Sequence, residues 1–469
     1  MTWNWFVIVA FLFWPIVAGI LYRTKPIAVA TVWTVLGGLL LLPSTMEIKF
    51  EMIPAFDKNS IPNVCAVIGC LFLAPRQRRL PIRSRLADLI ILVYLFSPVF
   101  TSAFNNDAIQ VGGRVLPGVG NYDAISAGLR QLIFFLPFLV GRRFLRSADD
   151  IKIILRALVV AGLVYSVPML FEIRMSPQLS NLIYGYFPST FSTEGRYGGF
   201  RPVVFMINGL ALAFFIMTSL LASIALWRTR NKIREIPASG ISVYLGAILM
   251  LCKSAGALAY GMVAGFLVGL ATPRLQSRIA ILLVSIGLLY PLLRITDLFP
   301  TRTLVSIAGL ISEERSGSLE FRFRQEDRLL ERASQRFMFG WGRFGRSRLY
   351  EESGDDSSTT DGLWIIILGS FGIVGFLAQF GLLALPVFSA VSTIKLIESK
   401  SDSVLLAALA MIVALTVIEQ LPNASVNPWS WLLAGALLGR TEFIKSTAMV
   451  SRKRRPRLKS VEANFQTSS

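Results

Sequence analysis

The chain contains no histidine and only three cysteines, and few of its ionisable residues fall inside its long apolar runs. Without histidine it lacks the commonest biological metal ligand and the commonest proton shuttle near neutral pH. Cys65, Cys70 and Cys252 all lie in apolar segments, and Cys65 and Cys70 share one expected helix, too far apart in rise to bridge. They read as small hydrophobes, not as a disulfide or a metal set. Asp88, Arg130 and Arg156 are expected near span ends, where long side chains reach polar surroundings. No carboxylate stands convincingly near the middle of an apolar run, and no internal repeat of the transporter kind is visible. Both absences weigh against an ion-coupled transporter. The first apolar run also lacks a basic leader, so no cleavable signal peptide is expected.

What is present is apolar length. Of 469 residues, 54% are hydrophobic, and the mean hydropathy is +0.60. Runs of 18 or more apolar residues recur along nearly the whole chain, for example at 3–21, 202–227 and 404–421. They are continuous rather than alternating, which predicts an all-α polytopic membrane protein and not a barrel. The net charge of +19 is placed in short connections: Arg23 with Lys25, the stretch from "RQRR" to Arg85, "GRRFLR", "RTRNKIR", "PRLQSR" and the tail "SRKRRPRLK". Assigning these to the cytoplasm leaves 44–60, 105–126, 172–200, 297–361 and a turn near Asn423 outside. The parity fits about twelve or thirteen spans with the N-terminus out and the tail in. The tail is expected to be disordered and to lie near anionic lipid, and no nucleic-acid role is expected. The chain divides into N-terminal spans (1–171), central spans with a first outside loop (172–296), a large outside loop (297–361), C-terminal spans (362–440) and a basic cytoplasmic tail (441–469).

The large loop holds ten arginines and no lysine. A helix is expected from about Ser318, which can cap it, with Glu320 in its first turn, to Gly340. At about 100° per residue Phe323, Leu329, Leu330, Ala333 and Phe337 share one face. Arg324, Arg328, Arg332 and Arg336 form a separate i, i+4 stripe, which places the helix on a membrane or protein surface. Arg322 breaks the pattern and projects toward the apolar side. It either pairs with Glu326 one turn on or aims inward at a bound anion. The following "GWGRFGR" has the G-x-G-x-x-G spacing at Gly340, Gly342 and Gly345 but follows a helix rather than a strand, so a dinucleotide site is excluded. A turn with its indole at the interface and a backbone nest for phosphate remain. Asp355 and Asp356 belong to a solvated acidic loop. Beyond it, Gly369, Gly372 and Gly375 predict a short helix and a bend before a full span. Asp361 stands at the start of that helix, either as its N-cap or as a carboxylate facing the arginines.

These features resemble the O-antigen ligase and polymerase superfamily, which includes exopolysaccharide and capsule polymerases. The resemblance covers about 172–440 and rests on Arg322 with its helix, the "GWG" turn, the Gly-broken helix, "RYGGFRPVVFMINGLAL" from Arg196, and "NPWSWLLAGALLG". It implies a GT-C-like inverting, metal-independent glycosyltransferase, without a cofactor, at the outer face of the bacterial inner membrane. It would polymerise oligosaccharide repeat units carried on polyprenyl pyrophosphate. Implied partners are that lipid-linked glycan, a growing polysaccharide acceptor, the bilayer, and chain-length regulator and export proteins. Carried onto this chain, Arg322 and Asp361 become the candidate catalytic residues, and Arg196, Arg201 and Arg324 the candidate pyrophosphate ligands. The family often has histidine where this chain has Asp361, and that departure favours a polymerase over a ligase. A lipid-linked sugar flippase and a non-enzymatic export component are the rival classes; a flippase would be expected to spread its arginines along a central cavity.

Overall fold

Inside lipid the backbone finds no water to bond to, so apolar segments must satisfy their own amides, and helices do this within one segment. The computed structural model, which describes residues 4–50, 53–74, 82–189, 191–196, 198–233 and 235–466, is accordingly built of helices. They are α1 (Trp5–Thr24), α2 (Ile27–Leu41), α3 (Ser60–Leu73), α4 (Arg85–Ala103), α5 (Asn121–Phe144) and α6 (Ala148–Met175). After the short α7 (Leu179–Tyr184) and α8 (Phe191–Glu194) come α9 (Gly209–Arg228), α10 (Ala238–Leu251), α11 (Ala255–Leu270) and α12 (Pro273–Ile295). The chain ends with α13 (Thr301–Ile311), α14 (Glu313–Ser334), α15 (Leu363–Ile394), α16 (Lys400–Glu419) and α17 (Pro428–Gln466). Among the described residues, α1, α4, α5, α6, α9, α12, α15 and α16 are the eight long and apolar enough to cross a membrane, and α2, α3, α10 and α11 are shorter apolar helices. The protein is an all-α, multi-pass membrane protein. Its strands are confined to two-stranded ribbons in the connections, the largest being β1 (Glu47–Phe50) with β2 (Ile53–Asp57).

Helix α16 is the central post, with every residue from Ser403 to Val417 buried. Helix α17 lies against α5 through glycine, because a Cβ on Gly435 would stand 2.1 Å from the Phe138 carbonyl oxygen and one on Gly439 2.4 Å from that of Arg142. Small residues that let helix backbones approach this closely are the usual glue of membrane bundles. At one end of this pair Arg142, from the basic "GRRFLR" stretch, is buried between Glu442 and Asp88, each 2.6 Å away.

Several boundaries differ from the sequence reading. Arg130 and Arg156 lie inside α5 and α6 rather than at their ends; Asp88 is in the first turn of α4. The apolar run 202–227 is not one helix: α9 begins at Gly209 behind an Asn208 cap. The preceding residues form a buried loop whose Val203 and Val204 amides each donate to Glu172 at 2.7 Å. Glu172, placed by the sequence at the start of a loop, thus sits inside α6 as an acceptor for amides that no helix uses. The tail, expected to be disordered, continues α17 to Gln466. A helix already nucleated by buried Trp429–Leu438 extends through good helix formers as far as Arg455, and Pro456, which lacks an amide donor, stands inside its last stretch. The basic stretch 76–79 and Tyr197 lie outside the described residues.

Candidate functional site

The expected bend in the C-terminal third is real, and it organises the site. Gly372 has φ 66° and ψ −168°, so α15 is broken there. A break leaves carbonyls orphaned on one side and amides on the other. The "GWGRFGR" loop supplies both sets of partners. Trp341 N–H and Gly342 N–H donate to the Gly369 and Ser370 carbonyls at 2.8 and 2.9 Å, while Ile373 and Val374 N–H donate to the Phe337 and Met338 carbonyls. Gly340, Gly342 and Gly345 all have positive φ, which lets the loop turn at each of them. The Trp341 and Gly342 amides, central to any phosphate nest here, are therefore spent on α15, which favours the turn reading. Its indole is not at the interface: Trp341 is buried, donates to the Arg332 carbonyl at 2.7 Å, and is covered by the Arg332 guanidinium 3.4 Å from its ring centre.

The loop is also clasped from α4. Thr101 donates to the Phe339 carbonyl and Asn105 to that of Gly340. Arg336 forks onto Asp107 at 2.5 and 3.0 Å. Its hydrogen bond holds the Asp107 carboxyl below the ordinary carboxylate range. Arg346, 1% exposed, donates to the carbonyls of Trp341, Asp107 and Pro117. The arginine stripe is thus divided. Arg332 and Arg336 are built into this clasp, whereas Arg324 pairs with Glu320 on the exposed side at 2.9 Å.

Helix α14 starts at Glu313, earlier than Ser318, and ends at Ser334, before Gly340. Ser312 precedes it without a capping side-chain bond. Leu329, Leu330 and Ala333 form its buried face as expected. Glu326 does not pair with Arg322. It lies 3.5 Å from Arg294 and accepts from Tyr290 at 3.0 Å and Trp364 at 3.1 Å. Burial raises its pKa, and these three partners oppose the rise. Arg322 instead faces Asp361, with its Nε 3.3 Å from Oδ2. Asp361 is not the helix cap: α15 begins after Gly362 with no side-chain cap bond, and Leu363 N–H donates to the Gln420 carbonyl. Arg322 and Asp361 are 35% and 41% exposed, open enough to meet an arriving ligand. Behind them lies Glu419, buried at the end of α16, bonded to Asn423 at 2.8 Å and within the field of Arg322.

The other candidates are elsewhere. Arg201 is buried against Glu194, 3.7 Å away, and reaches the Lys253 carbonyl. Arg196 is exposed on a two-residue strand, and its carbonyl accepts from Lys253. Arg324 belongs to the outward face. Of the five candidates, only Arg322 and Asp361 are brought into contact with each other. Asp356, in the acidic loop, is engaged by Arg348 and Ser358. Sequence reasoning missed Glu419, whose signal was a lone carboxylate closing an apolar run just before Pro422. It also missed Glu326 as the partner of Arg294 and Asp107 as that of Arg336.

No family model matches the chain, and a search of curated proteins gives no match.

Proposed function

We propose that the protein is a glycosyltransferase of the polysaccharide polymerase type, acting on polyprenyl-pyrophosphate-linked repeat units at the outer face of a bacterial inner membrane. The observation that carries this reading is the contact of Arg322 with Asp361 across two elements, in place of the local pair with Glu326. Arginine binds phosphate oxygens through a planar fork and stays charged, so Arg322 can neutralise a departing pyrophosphate without a metal. Asp361 beside it can accept the proton of an attacking sugar hydroxyl. In that step the acceptor oxygen bonds to the anomeric carbon and the carbon–oxygen bond to pyrophosphate breaks with inversion. The electron pair leaves on the pyrophosphate, and the hydroxyl proton goes to Asp361 and then to solvent. In the resting state the two side chains neutralise each other; donor phosphate would draw Arg322 away and leave the carboxylate free.

In support of this reading, eight helices among the described residues are long and apolar enough to cross a membrane, and the arginine loop connects two of them, α12 and α15. The test is a nanodisc assay of the purified protein with radiolabelled lipid-linked repeat units. Growth of a glycan ladder on the polyprenyl carrier is the expected result. Transfer only to an added foreign lipid acceptor would make it a ligase, and bilayer crossing without growth would reject enzymatic transfer.

A further inference from the structure

A second pair of arginines meets away from Arg322. Arg130, from the interior of α5, and Arg343, from the glycine loop, both line a cavity of about 620 Å³. Among the described residues neither has a carboxylate within ion-pair distance, whereas Arg322, Arg324, Arg336, Arg346 and Arg348 each have one. Burial and the neighbouring Arg130 charge lower the Arg343 pKa, with Asp123 opposing. Two like charges that converge with no ion-paired carboxylate on either leave a deficit that an anion would fill.

The cavity is two-sided. Its polar lining holds Lys49, Asn59 and Gln131 and two carboxylates engaged by other groups, Glu47 by Lys49 at 2.6 Å and Asp57 by the Asn59 and Ser60 amides, while Ile366, Ile367 and Phe371 on the first half of α15 form an apolar wall. Phe344 also lines it and is 62% exposed; on α5, Ile125 (62%) and Leu129 (41%) are exposed beside the lining residues Ser126 and Arg130. Apolar side chains this exposed on a membrane helix face hydrocarbon, so the α5 wall of the cavity borders lipid. An arginine placed within a membrane helix is costly unless it serves a polar partner, which makes Arg130 hard to explain as packing.

We propose that this cavity is a binding site for a phosphate-bearing amphiphile, with its phosphate between Arg130 and Arg343 and its hydrocarbon along Ile366, Ile367 and Phe371. The chemistry is shared by bilayer phospholipid and by polyprenyl phosphate, and the site does not depend on the transfer reaction proposed above. Because Arg343 belongs to the loop that closes the α15 break, occupancy would also brace that loop.

The test is lipid retention by the purified protein in neutral detergent, using phosphatidylglycerol, polyprenyl phosphate, uncharged diacylglycerol and inorganic phosphate as probes. The wild-type chain should retain one of the phosphate lipids at least roughly tenfold over diacylglycerol, as charge-assisted hydrogen bonds to phosphate imply. Which lipid is preferred identifies the source. Arg130→Gln with Arg343→Gln should lose that preference, Arg130→Lys with Arg343→Lys should keep part of it, and Arg324→Gln should keep all of it. Equal retention of diacylglycerol, undiminished retention by the glutamine pair, or displacement by inorganic phosphate at comparable concentration would overturn the proposal. If the glutamine pair does not fold, the diacylglycerol and phosphate competitions on the wild-type chain decide it.

Discussion

At the scale of single residues, the structure separates arginines that look alike in the sequence. Arg322→Lys keeps the charge but loses the planar fork, so polymer formation should fall at least roughly tenfold at unchanged protein level. The fair control is Arg324→Lys, since Arg324 makes only an exposed ion pair with Glu320, of a kind that contributes little. Arg332, which stripe position alone would pick as the tolerant site, stacks on Trp341 and donates to the Arg346 carbonyl, so Arg332→Lys should lower stability. Equal tolerance at Arg322 and Arg324 would reduce Arg322 to a surface ion pair. Asp361→Asn tests the proposed base. Because Asp361 makes no cap, the variant should fold and insert normally, and a lost base should cost about 10²–10⁴ in turnover. Donor binding should survive or tighten, since Arg322 is then free of its counter-charge. Histidine at 361, the residue often found there in the resembled family, should restore part of the rate near neutral pH. Full activity of the Asn variant would remove Asp361 from the mechanism.

At the scale of elements, the decisive feature is a helix break mended by a distant loop. The bend at Gly372 was legible because three glycines in one apolar run weaken a helix. What mends it was not, since no sequence period relates Trp341 to Gly369. The same limit hid the partners of Arg336 and Glu326, which come from the loop after α4, from α12 and from α15 and not from the next turn. Local pattern did locate the buried face of α14 and the exposed stripe, because both follow from helical geometry alone. Gly372→Ala should therefore be severely destabilising. Its positive φ strains any side chain by about 1–3 kcal/mol, and a Cβ there would stand 2.3 Å from the Met338 carbonyl oxygen. A drop in unfolding temperature in detergent measures this. The clasp beside it should respond to acid. Arg336 depresses the Asp107 pKa, so the stability from that pair is present above the ordinary aspartate pKa and lost as pH falls through the depressed one. Protection of loop 335–342 against amide exchange, taken relative to the intrinsic rate at each pH, should fall on acidification below about pH 4, and Asp107→Asn should remove that pH dependence. Wild-type protection that stays flat to about pH 2 would show that Asp107 does not control the clasp.

At the scale of the whole molecule, the topology turns on whether the shorter helices cross. Helices α10 and α11 have 14 and 16 residues, roughly 21 and 24 Å at the α-helical rise, against a hydrocarbon core of about 30 Å. Length alone would make them a re-entrant pair. Their contacts argue otherwise. At one end of α9, Arg201 reaches the Lys253 carbonyl in the turn between α10 and α11. At the other, Arg228 donates to the Val268 and Ala271 carbonyls at the close of α11. Helix α11 therefore runs the same height as α9, which is long enough to span, and short flanking helices can be matched by local bilayer thinning. If α10 and α11 both cross, the Lys253 turn lies on the same side as the arginine loop, and "RTRNKIR" and "PRLQSR" lie together on the other. That agrees with the sidedness expected from basic residues. Reporters fused after Lys253 and after Gly317 should then both read outside, and one after Arg457 inside. A re-entrant pair leaves the Gly317 and Arg457 readings untouched and changes only Lys253, so that reporter alone separates the two topologies. Gly317 and Arg457 on one side would instead overturn the parity of the whole chain and take Arg322 and Asp361 off the outer face.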